Sequence, residues 1–157
     1  MEIFRTHSRA LQAMTSDNTR QGIFRRMLAR EAGTAADAPA IAAASDRLCE
    51  HFARQLTPLI GDAGVAAIYA RSLHLVQRDF PSLAPARGSN QGDGPYVRLQ
   101  QSLEHQQPAV ASAAAVAVLT TVGDVLASFI GESLTTRLLR EAWPDDFAGD
   151  TAEETNR

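Results

Sequence analysis

Four histidines, one cysteine and a scatter of carboxylates are the groups in this chain with a capacity for chemistry. The histidines are His7, His51, His74 and His105, and Cys49-Glu50-His51 sets three metal-capable residue types side by side. Helical neighbours two apart point to different sides. Neither CxxC nor HxxxH spacing occurs, so no metal site is expected. Gln91-Gly-Asp-Gly94 has turn residues but a single acid, which falls short of a calcium loop. There is no GxSxG, no phosphate-binding P-loop, no GxGxxG between a strand and a helix, and no readable carboxylate pair. No catalytic residue and no cofactor are therefore assigned.

His51 has a more specific context. Glu50-His51-Phe52-Ala53-Arg54-Gln55-Leu56-Thr57-Pro58-Leu59 is similar to the phospho-accepting box of sensor histidine kinases, which also sets a His before an Arg and a Thr-Pro-Leu. The resemblance implies phosphate acceptance by the imidazole. The chain departs from that pattern: Thr-Pro sits two residues too far along and no ATP-binding glycine motifs follow. The Lys-Gly expected after a phosphotransfer histidine is absent after both His51 and His74. Phosphotransfer through His51 or His74 is retained as the third of three functional readings.

The cations have their own pattern. There is no lysine, and all 15 basic residues are arginine. Coding bias explains this adequately, but every cation is then a planar fork that keeps its charge near neutral pH. Net charge is -3 and the sequence pI about 5.8, so the chain as a whole is not a polyanion binder and nucleic acid is not an expected partner. Residues 1–31 hold six Arg against three acids, whereas residues 141–157 hold six acids against one Arg. Arg71, His74 and Arg78 fall at helical spacing as a cationic stripe, suited to an acidic partner or a phosphate, or simply to water. Near the N-terminus an apolar face (Ile23, Phe24, Met27, Leu28) is paired with Arg25, Arg26 and Arg30. That helix docks on its own bundle, lies in the groove of a partner protein or, with thin support from so few cations, contacts a membrane surface or nucleic acid. These two clusters are the candidate partner-binding residues.

The elements that must position these groups are helical. A length of 157 residues suits one domain with a real core, and 45% apolar content excludes disorder overall. Alanine is abundant and β-branched or aromatic runs are few, which favours helix over sheet. The spacing predicts a helix over about Asn18–Ala32 capped by Asp17, and a second from about Ala38, capped by Asp37 with Pro39 in its first turn. Pro58, Gly61 and Asp62 offer a kink, stop or restart before a stretch running to about Arg78. A long loop follows through Gly88–Gly94. Pro95 and Pro108 each open a helix, the second continuing to about Ile130. Gly131 interrupts it, although the apolar spacing would also support one unbroken helix, and a last helix ends before Pro144. The segment Ala109–Ile130 is apolar nearly all round and belongs at the centre, with Ala113, Ala114, Ala115 and Ala117 allowing close backbone approach.

Two stretches read as one pattern written twice, 70 positions apart: Leu56-Thr-Pro-Leu-Ile-Gly-Asp62 and Leu126-Ala-Ser-Phe-Ile-Gly-Glu132. Matched positions carry opposite charge, Arg54 against Asp124 and Arg71 against Glu141. A pseudo-twofold relation predicts an Arg54–Asp124 ion pair, since a carboxylate in an apolar helix needs a partner.

These readings converge on an all-α fold: a compact bundle of five or six helices built from two pseudo-repeated helical hairpins. Residues 1–36 are expected as an amphipathic helix and linker, 37–144 as the bundle, and 145–157 as an acidic frayed tail. The leading function is a non-catalytic helical protein acting through an unknown protein partner, as regulator, adaptor or subunit, with homodimerisation admitted. A small apolar-ligand sensor is the alternative, its cavity expected near Phe52, Phe129 and Trp143. One cysteine and no signal-like run in Met1–Met14 suit a cytoplasmic setting. Ala109–Gly123 is too short to span a membrane and is followed by Asp124.

Overall fold

The computed structural model describes residues 19–34, 36–83 and 95–147. Asp17, the loop around Gly88–Gly94 and the chain beyond Phe147 lie outside the described residues. Six α-helices and one 3-10 turn account for nearly all the rest, with no strand among the described residues. They are α1 (residues 19–32), α2 (Ala38–Val76), α3 (Pro95–Glu104), α4 (Pro108–Ile130), α5 (Glu132–Ala142) and α6 (Pro144–Phe147). The 3-10 turn is Pro81–Leu83.

The helix starts follow local chemistry. The Asp37 carboxylate accepts a hydrogen bond from the Ala40 N–H at 2.9 Å, and Pro39 sits in the first turn where its missing N–H has no helical partner to lose. Pro108 likewise sits in the first turn of α4, where the N-cap Gln107 makes no side-chain cap bond.

Two glycines bend the chain. Gly61 has φ 76° and ψ 168°, and Gly131 has φ 92° and ψ 158°, a backbone region essentially restricted to glycine. Of the break points offered by the sequence, Gly61 carries the bend and Pro58 lies inside the helix just before it. The bend is sharp: the Tyr69 hydroxyl donates to the Cys49 carbonyl at 3.0 Å. In a straight helix those residues would be about 30 Å apart. α2 is thus a helical hairpin, residues 38–60 folding back against 62–76. Gly131 likewise separates α4 from α5, so the unbroken-helix alternative does not hold.

α4 is the central helix, packed most extensively on α2. Ala111, Ala114, Ala115, Val118, Leu119, Val122 and Leu126 are buried along it. Ala113, expected among the close-packing residues, is exposed because it falls on the outer side. Of the fourteen buried positions of α2, eleven (41, 44, 45, 48, 49, 52, 56, 65, 68, 69 and 72) have a buried match 70 residues on, whereas Ala38, Ala42 and Val76 do not. α3 covers another side of α2.

α1 closes the far side. Phe24 meets Trp143 edge-on at 6.0 Å between ring centroids and Phe147 at 5.8 Å. Phe52 also stacks near Trp143, at 5.4 Å. Phe147 is buried, so Pro144–Phe147 is a docked helical turn where frayed tail was expected. Both α2 and α4 are long and apolar enough to cross a membrane by length and composition. The expectation that the apolar stretch is too short is corrected: α4 runs on through Asp124 to Ile130. A helix surrounded by other helices meets the same criterion, and 56% of the most apolar window of α4 is buried within the fold.

Candidate functional site

The two glycine corners flank an open groove of about 780 Å³. One wall is the second half of α2, with Ile68 and Leu75, together with Ile60 just before the Gly61 corner; the other is the end of α4, with Val125, Leu126, Phe129 and Ile130. The hollow exists because the α2 wall is small-residue at Gly64 and Ala67. A Cβ on Gly64 would come within 3.0 Å of the Ile60 side chain. Arg71, Thr121, Asp124 and Ser128 supply the polar lining.

The groove coincides with the most exposed large apolar residue described. Phe129 is 74% exposed, and Leu59 follows at 58%. Each immediately precedes the Ile-Gly of its own corner. Such side chains at a bend in an otherwise well-filled bundle are candidates for a contact surface.

A buried arginine fixes one wall. Arg20 of α1 is 5% exposed; it donates to Asp124 at 2.6 Å and to Glu132 at 2.8 Å. One guanidinium thereby joins the end of α4 to the start of α5 across Gly131. Burial opposes the charge on Arg20, but the bonds it donates to Glu132 and Asp124 outweigh it and hold its pKa above the ordinary value.

The expected pair is therefore replaced. Asp124 does take an arginine, but it is Arg20; Arg54 pairs with Glu50, one turn away on its own helix, at 3.5 Å. No spacing within the repeat could signal Arg20, which belongs to a helix outside it. The N-terminal candidates divide by face. Ile23, Phe24, Met27 and Leu28 are buried in the protein's own core, so they are not accessible to a partner. Arg25 and Arg26 are exposed, and Arg30 makes two 2.8 Å bonds to Asp146. Arg71, His74 and Arg78 are all exposed, and Arg71 lines the groove.

His51 is half-buried, its ring 5.4 Å from that of Trp143. Its Nε2 lies 2.8 Å from the Ala142 carbonyl, which can only accept, so Nε2 carries the proton and donates. A second, more polar hollow of about 460 Å³ lies beside it, lined in part by Arg47, Arg54, Trp143 and Asp145. Cys49 is fully buried, and desolvation pushes its thiol up to about 12, so it is not a nucleophile here. Among the described residues no three His, Cys, Asp or Glu side chains gather as metal ligands. No protein-family model, curated protein or solved structure matches the chain.

Proposed function

We propose that this protein is a non-catalytic helical binding protein, a regulator, adaptor or subunit, that receives a segment of a partner protein in the groove between α2 and α4. The observation that supports this reading is an open apolar trough edged by a phenylalanine left 74% in water. Leaving that much aromatic surface hydrated forgoes about 2 kcal/mol of burial, which a partner would recover.

The repeat deepens the reading. The two hairpins are related halves, supported by the matched burial register and by two corners with nearly the same φ and ψ. Thr121, Asp124 and Leu75 line the groove, and their matches His51, Arg54 and Asp145 line the second hollow. On this view the two clefts are equivalent, the second being smaller and more polar, with Trp143 in its lining.

A small apolar-ligand sensor is the second reading. The groove volume of about 780 Å³ falls within the usual range for ligand pockets. Against it, Phe52 and Trp143 sit in a filled aromatic cluster instead of around a closed cavity. Phosphotransfer at His51 Nε2 is disfavoured by its bond to the Ala142 carbonyl.

A photo-crosslinking amino acid at position 129 tests the proposal in cells producing the full chain. Discrete protein adducts are expected from position 129 and not from Glu104, which is exposed and outside the groove. The same adducts from both positions would refute the groove. A co-purified small molecule in native mass spectrometry, with no protein adduct, would favour the second reading.

A further inference from the structure

The groove and the cationic stripe are parts of one surface, because Arg71 belongs to both. We infer that the groove takes an amphipathic helix from another protein, one that carries acidic residues along the flank facing Arg71. This rests on the binding reading above and specifies the partner's chemistry.

Size argues for a helix. Beyond the Gly61 corner, the α2 wall from Gly64 to Leu75 runs about 16 Å. That accommodates apolar anchors at i, i+3 or i+4, i+7 and i+11 of a docked helix. Gly64 and Ala67 leave room for a ridge of side chains to enter between the walls.

Charge selects which helix. Arg71 is exposed and has no ion pair among the described residues. Residues 63–78 contain no Asp or Glu, so no acid lies three or four positions from it on its helix. Arg54 and Arg137, by contrast, each have a glutamate one turn away. On the opposite wall Asp124 is already satisfied by Arg20. His74 and Arg78 extend the stripe, and they also complement the negative end of α2. Arg71 lies upstream of the last turn and has no such role. An apolar helix laid over an unpaired guanidinium would strip its water without replacement. A carboxylate on the incoming flank removes that penalty and fixes the register.

The test displays a library of helical peptides of about 16 residues, with a constant apolar face and randomised flanks, against the full chain. Enrichment of Asp and Glu on one flank is expected. The selected peptide should bind about tenfold more weakly to Arg71→Glu, lose binding to Phe129→Asp, and recover affinity for Arg71→Glu when its acids are changed to lysine. Both positions are exposed, so an unchanged far-UV circular dichroism spectrum will show that the variants fold. Peptides that need Phe129 but show no acidic preference and ignore Arg71→Glu would overturn this inference and leave the groove reading standing. Peptides indifferent to Phe129→Asp would overturn both. Self-association in sedimentation velocity that disappears in Phe129→Asp would identify a second copy as the occupant and overturn it as well.

Discussion

Replacing Gly131 with alanine sets two backbone effects against each other. Alanine narrows the unfolded ensemble, which favours folding by about 0.4–1 kcal/mol. At φ 92° and ψ 158° it must also adopt a conformation that costs a residue with a Cβ about 1–3 kcal/mol. No steric clash adds to this, because a Cβ built there meets nothing within 4 Å. The net expectation is a loss of about 1–2 kcal/mol, and the same for Gly61→Ala, whose φ is 76° and whose Cβ site is also open. Gly22→Ala is the internal control. It makes the same chemical change inside α1, also in open space, and should gain about 0.5–1 kcal/mol. Urea unfolding followed by circular dichroism reads all three. With a slope of about 1–3 kcal/mol/M, Gly131→Ala and Gly61→Ala should lower the midpoint by about 0.5–1 M, while Gly22→Ala raises it slightly. If Gly131→Ala raises the midpoint as Gly22→Ala does, the corner is not held in this conformation, and the reasoning that links the corners to the groove fails.

Arg20→Met should destabilise by about 2 kcal/mol, less than a fully buried pair because Asp124 and Glu132 keep 37% and 46% of their side-chain exposure; thermal unfolding within error of the parent would remove the clasp across Gly131. Asp46→Asn should stabilise the protein near neutral pH. Burial, with a smaller push from Glu50 and against the pull of Arg47, raises the Asp46 pKa. The folded state then holds that proton more tightly than the unfolded chain, so stability falls as pH rises through the carboxylate range. The advantage of the Asn variant should shrink to nothing below that range, and a gain independent of pH would contradict the assignment. Phe24→Ala should cost about 3–5 kcal/mol and red-shift the emission of Trp143, the sole tryptophan, because Phe24 packs against that ring. A native-like spectrum and stability would mean that α1 is not part of the core.

Most of the architecture is local information, and the sequence by itself carries it. Apolar periodicity placed α1, α2, α4 and α5; the Asp37 cap and the prolines at 39, 95 and 108 marked helix starts; Gly61 and Gly131 marked the corners. Each depends on backbone sterics or spacing within a few residues, so it can be read without knowing the rest of the molecule. The direction of bending is different. That Gly61 folds α2 into a hairpin, while Pro58 stays within the helix, depends on where Tyr69 finds the Cys49 carbonyl.

Pairing and exposure belong to the tertiary structure. The sequence shows that Asp124 needs a cation, but Arg20 reaches it from 104 positions away on a helix outside the repeat. The apolar face of α1 is visible in the sequence as a sticky surface, yet amphipathicity reads the same whether the surface meets its own bundle or another protein; Phe24 meets Trp143 and Phe147. The groove is the converse case. Phe129 looks like a core residue by periodicity, and nothing along the chain distinguishes it from Phe52. Only the packing of helices decides that Phe52 is enclosed and Phe129 is left in water, because burial depends on how many neighbours surround a side chain and periodicity reports only the face it occupies.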